Sequence, residues 1–177
     1  MSTQEIAAAL QRVEAVLRRR PALGLQDDTP ATARWERGTR VVASHGNGAQ
    51  MATDMPNELG GTGDGVTPGW LFRAGLASCA ATSIALAAAA SGIELATLEV
   101  RATSRSDARG LLGMADSTGA PVPAGPCDVQ LHVRIAANGV EPSRLRALVE
   151  GGYRCSPIPN TLISAVPVDL RIDVDAG

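Results

Sequence analysis

The chain of 177 residues and 18.1 kDa suits one domain, since soluble domains run to roughly 100–200 residues, and 45% hydrophobic against 19% charged residues is too apolar for a disordered chain. All sixteen basic residues are Arg, which removes Schiff-base chemistry, a Walker A lysine and lysine pairing to nucleotide phosphates. A net charge of -2, a pI near 5.7 and only four aromatics (Trp35, Trp70, Phe72, Tyr153) offer nucleic acid neither a basic field nor a stacking surface.

In chain order, Ile6, Leu10, Val13 and Leu17 share one face at helical spacing, and Arg18, Arg19 and Arg20 complement the helix dipole before Pro21 stops the helix. The early Glu5 and the short apolar run Ile6 to Leu10 do not read as a signal peptide. Residues 1–25 are therefore expected to form a helical extension ahead of a main domain at residues 26–177. In that domain Ala31 to Ser44 reads as a strand, His45 to Gly48 as a turn and Ala49 to Asp54 as the returning strand of a hairpin. Met55 to Gly65 is a glycine-rich loop, and Thr67-Pro68 supplies an N-cap with Pro at the first helical position.

The helix that starts there is expected to run from Pro68 to Ser91, with Gly92 closing it in the left-handed conformation. Its stretch Ala74 to Ile93 has no charge, but nine of those twenty residues are Ala. A helix of small residues without a charged side is expected to be surrounded by protein and not by lipid. A strand from Leu95 to Arg105 follows, then a loop between Arg109 and Pro126 and an alternating strand from Asp128 to Ala136. Pro142 starts a second helix with Leu145, Leu148 and Val149 inward, and Val166 to Val174 alternates as a last strand. This order predicts an α+β fold, a mostly antiparallel sheet against a long buried central helix.

Three cysteines, an odd number, argue against a disulfide framework and for a reducing compartment. Cys79 sits mid-helix with Gly75 and Ser83 at i±4, a stripe of small side chains that lets a second helix or a small substrate reach the sulfur. Cys155 adjoins Arg154 at the end of the second helix, whereas Cys127 reads as a strand-entry residue. Reaction at sulfur needs thiolate, and a cysteine near pKa 8.5 is only about 3% ionised at pH 7, so a guanidinium or a helix N-terminus must help. His45 and His132 lie far apart and no metal-ligand spacing occurs, so no metal or other cofactor is expected.

The run Pro56 to Cys79, with its Glu-Leu-Gly-Gly loop, Thr-Pro helix start and Leu-Ala-Ser-Cys, resembles the first signature of the osmotically inducible protein and organic hydroperoxide resistance (OsmC/Ohr) superfamily. Arg109 to Gly113 and Ser156 to Leu162 resemble its later landmarks in the same order. The resemblance implies an OsmC-like fold in an intertwined homodimer, and a thiol peroxidase that reduces organic hydroperoxides through a cysteine sulfenic acid, with a thiol or dithiol reductant as its partner. It implies Cys79 as the peroxidatic residue, Glu58 as the acidic partner, and Arg37, with Arg34 and Arg40 as rivals, as the arginine that holds the thiolate. A second cysteine, for which Cys155 is the candidate, would resolve the sulfenic acid. Trp70, Phe72 and Leu76 are candidate apolar walls favouring organic peroxides.

One departure matters. Aligned through Pro157, Asn160 and Leu162, Ser156 occupies the resolving position and Cys155 stands one residue early, a rotation of about 100° on a helix. Two readings therefore stay open: a cytoplasmic hydroperoxide reductase, and a non-enzymatic dimer of the same fold that binds a small ligand. Neither nucleic acid nor membrane is an expected partner.

Overall fold

The computed structural model describes residues 2–175. Helix α1 (Thr3–Arg19) opens with a capping box in which the Ser2 hydroxyl accepts from Glu5 N and the Glu5 carboxylate accepts from Ser2 N. It lies against the C-terminal half of helix α2 (Pro68–Ala90), with Ile6 beside Ala85, Ala88 and Ala89. Three antiparallel strands follow, β1 (Thr32–Arg37), β2 (Arg40–Ser44) and β3 (Gln50–Thr53). The expected single strand Ala31 to Ser44 is thus two. Gly38 takes a left-handed φ of 53°, which reverses the chain, and its carbonyl accepts from the Trp35 indole at 2.9 Å. A lone Gly between Arg37 and Thr39 lacks the usual turn dipeptide, which hides this turn in the sequence.

Helix α2 begins at Thr67, whose hydroxyl accepts from Trp70 N, and ends with Gly92 at φ 67° and Ile93 N bonded to Ala88 O. Both ends match the sequence reading within a residue. Leu76, Ala80, Ile84 and Ala88, spaced by four, form its buried stripe. The opposite stripe, Ser78, Thr82, Leu86 and Ala90, is exposed. Strands β4 (Thr97–Arg105) and β5 (Cys127–Ala136) form a separate antiparallel pair, with Arg101 opposite His132. The glycine-rich loop between them also contains a short helix, α3 (Ala108–Leu111). Val133 and Ile135 face inward and His132 outward, as their alternation requires.

Helix α4 (Pro142–Arg154) closes the core with Leu145 and Leu148, which pack beside Ala88 and Ile93 of the α2 end. Gly152 sets how close it can come. A Cβ there would stand 2.7 Å from Ile84 Cα and 3.1 Å from Ile84 N, so only glycine lets the two backbones meet. Helix α5 (Pro157–Ile163) then turns back across α2, its Ile158 Cδ1 standing 3.8 Å from where a Cβ at Gly75 would be. The last strand does not form within the chain. Val166 to Val174 takes no regular secondary structure and has no ladder partner, and its apolar side chains stand in solvent, Val168 at 95% and Val174 at 87% exposure. Alternation specifies a pleated face, yet a strand also needs an edge to pair with.

The segment after β3 is held by Asp54, a carboxylate only 2% exposed. Its Oδ1 accepts from the Thr39 hydroxyl at 2.5 Å and Met55 N at 2.8 Å, and its Oδ2 from the Thr62 hydroxyl at 2.7 Å and Thr62 N at 3.3 Å. These donors, led by the Thr39 hydroxyl, hold the Asp54 carboxyl well below the usual carboxylate range. Gly61 crosses the same loop so tightly that a Cβ would sit 1.8 Å from the Met55 carbonyl oxygen.

Both contacts can be tested by substitution. Gly152→Ala should lower the urea-unfolding free energy by about 1–3 kcal/mol, the usual cost of overpacking, with α4 displaced from α2. A depressed native pKa at Asp54 stabilises the fold above the unfolded carboxylate value of about 3.9 and is lost as pH falls. Melting temperature should therefore drop below about pH 4, and Asp54→Asn should be less stable at neutral pH with a flatter acid limb.

Candidate active site

Cys79 lies at the middle of α2, on the side facing the α4–α5 junction, and is partly buried. Its Sγ accepts from the Ser156 hydroxyl at 3.2 Å and from Ile158 N at 3.4 Å. Ser156 is fully buried and stands at the start of α5. The small-residue stripe does what its composition allows: Gly75 and Cys79 leave room for a second helix, and α5 occupies that room. Helix geometry explains the placement. Cys79 is five residues before Ile84 on α2, and Ser156 four residues after Gly152, so the close backbone approach of Gly152 to Ile84 carries the serine over the sulfur.

Cys155 is the C-cap of α4 and is exposed. It follows that consecutive residues of this turn point differently: Ser156 inward at Cys79, Cys155 to solvent. Cys127 is also exposed, and all three cysteines are free thiols. Asn160 braces the turn, its amide donating to Ser156 O at 2.7 Å and Arg154 O at 3.0 Å.

Arg37 ends β1 and Glu58 sits on a 3-10 turn, Asn57–Leu59. Arg37 and Arg40 both line a depression of about 200 Å³ with Thr39, Asp54, Gly60 and Thr62, which sets both beside the loop that carries Glu58. Among the described residues, neither the Arg37 nor the Glu58 side chain makes an ion pair or a side-chain hydrogen bond. Of the rivals, Arg40 pairs with Glu36 at 3.3 Å and Asp64 at 3.4 Å, and Arg34 is exposed, as Arg37 is. The glycine-rich loop rejoins β3 where Asp54 N bonds Val66 O, and α2 departs from there. Cys79 lies eleven residues beyond Pro68, about 16 Å along the helix.

Leu76 lines an apolar groove of about 450 Å³, together with Ile84, Leu131, Tyr153, Pro159 and Leu162. Trp70 and Phe72 do not line it; Trp70 is 44% exposed at the first turn of α2. Two contacts carry no signal in the sequence, that of Ser156 with the sulfur and those that hold Asp54. For Asp54, the threonines flanking it in space lie 15 and 8 residues away.

Helix α2 has the length and hydropathy of a membrane span, but it packs against α1, α4, α5 and β4 as the central helix of the domain. The profile of the family described as OsmC-like protein matches residues 61–171. The organic hydroperoxide resistance protein of Xanthomonas axonopodis pv. citri (strain 306) is 29% identical over 143 residues, spanning 80% of this chain and 91% of that protein. In fold the chain is similar to the OsmC-like protein of Mycoplasma pneumoniae, with a TM-score of 0.64 at 20% identity over 78% of this chain and 89% of that one. It is also similar to an organic hydroperoxide resistance protein OsmC from Legionella pneumophila, with a TM-score of 0.56 at 22% identity over 78% and 90%. With the antiparallel strands and the long central helix in place and the profile covering residues 61–171, the chain belongs to the OsmC-like protein family.

Proposed function

We propose that the protein is a cytoplasmic thiol peroxidase that reduces organic hydroperoxides at Cys79. The observation that carries this reading is the sulfur itself: partly accessible on a helix of small residues, with a hydroxyl and a backbone N–H already directed at it. The relative from Xanthomonas is named for organic hydroperoxide resistance, which supports the substrate class. In the reaction the Cys79 thiolate attacks the distal peroxide oxygen, the O–O bond breaks, and the departing alkoxide takes a proton to leave as the alcohol. Cys79 is then a sulfenic acid. Arg37 stabilises the sulfur anion and orients the peroxide, and Glu58 holds the guanidinium.

The working unit in this proposal is an intertwined homodimer. A compact monomer of 18.1 kDa has an accessible surface of about 8,100 Å² by the usual size scaling, whereas this protomer exposes 13372 Å². Part of the exposed apolar surface lies on the bare stripe of α2, at Leu86, and along Val166 to Val174, which lacks a neighbour. A second copy can cover both, pairing the tail at a sheet edge and bringing the Arg37–Glu58 loop of one protomer toward the other's sulfur.

Reduced protein should consume an alkyl or aromatic hydroperoxide well above a free-thiol control, in a peroxide-consumption assay. Cys79→Ser should fall to that control, and Arg37→Ala should lose about 100-fold, the order seen when one preorganised donor to a reacting anion is removed. Consumption no faster than the control rules out the peroxidase. Light scattering should give a mass about twice the 18.1 kDa chain, and truncation after Ala165 should abolish the dimer; a monomer at micromolar concentration would count against the assembly.

A further inference from the structure

We propose that Ser156 makes the enzyme dependent on an external thiol: it fills the place from which a second sulfur could reach Cys79, so the sulfenic acid is reduced by a small monothiol and not by Cys155. This rests on the peroxidatic reading of Cys79. Ser156 is completely buried, and its Oγ stands 3.2 Å from Cys79 Sγ. Its side-chain position is therefore fixed against the sulfur, and Asn160 and the Gly152–Ile84 approach fix its backbone. Cys155, the preceding residue, is exposed. For Cys155 to form an S–S bond of about 2 Å to Cys79, the turn must rotate so that Ser156 leaves its buried place. That rotation would strip the Cys79 sulfur of both donors and break the Asn160 brace.

The cycle then balances with a monothiol as reductant. The monothiol's thiolate attacks the Cys79 sulfenyl sulfur, a mixed disulfide forms, and the hydroxyl leaves as water after protonation. A second monothiol attacks the small-molecule sulfur of that disulfide, releasing the Cys79 thiolate and a low-molecular-weight disulfide. In sum, one hydroperoxide and two monothiols give one alcohol, one water and one disulfide. The serine hydroxyl remains in place throughout.

Intact-mass and peptide mapping distinguish this cycle from intramolecular resolution. Treated with one equivalent of cumene hydroperoxide, the reduced full-length protein should gain one oxygen at Cys79, trappable by dimedone, and added glutathione should convert it to a mixed disulfide at Cys79. Ser156→Cys should instead lose two hydrogens and link Cys79 to the introduced thiol, since a sulfur at that position starts within reach. The same pair of proteins treated with diamide, which oxidises thiols without any peroxide, should show the variant's disulfide and no Cys79–Cys155 disulfide in the wild type. A Cys79–Cys155 disulfide in the wild type with either oxidant overturns this inference and leaves Cys79 as the peroxidatic residue. If cumene hydroperoxide leaves Cys79 unoxidised, the peroxidatic reading fails. The diamide comparison still judges the geometry, and a Ser156→Cys protein in which the introduced sulfur does not bond to Cys79 overturns it.

Discussion

At Gly152 the backbone of α4 meets Ile84 of α2 with no side chain of its own between, and the rest of the site inherits its position from that contact. Helices usually pack about 8–10 Å apart, set by the side chains between them. Gly152 removes its own side chain at the crossing, with Ile84 as the facing surface. Because α4 is anchored there and by Leu145 and Leu148, the few residues that follow have little freedom. The chain turns at Cys155, seats Ser156 in the interior and lays α5 over Gly75 and Cys79. The small residues of α2 are thus one half of a fitted pair, the other half being the glycine on α4.

A different kind of constraint holds the other part of the proposed constellation. Asp54 gathers two hydroxyls and two backbone N–H groups from both sides of a glycine-rich loop. Burying a carboxylate is costly unless each oxygen finds donors, so the four contacts must form together, and they close the loop from Met55 to Thr62 as a unit. Glu58 is carried on that unit, with Arg37 beside it. Packing precision therefore places the sulfur, and hydrogen-bond satisfaction places the charged partners.

The contrast explains what is legible in the sequence. The ends of α2 and the β5 alternation come from local rules of capping and period, and residue order alone displays them, whereas the buried stripe of α2 does not show in a helix of small residues with no charged side. The turn at Gly38 is easily read through, because a single glycine between Arg37 and Thr39 carries a weak local signal. The Val166–Val174 alternation is visible, but a strand also needs an edge to pair with, and this segment engages none within the chain. The motif around Ser156 exposes the missing cysteine at once. That the serine touches the sulfur, 77 residues away in sequence, is a consequence of where α4 crosses α2.

The exposed apolar tail and bare stripe also bear on how the molecule is held together. In the proposed dimer, much of the apolar burial that ordinarily drives a chain of this size to fold is postponed until two chains meet. Folding and association then become one equilibrium, and the native state gains free energy with the logarithm of protein concentration. Dilution, and not only heat or acid, becomes a way to unfold it.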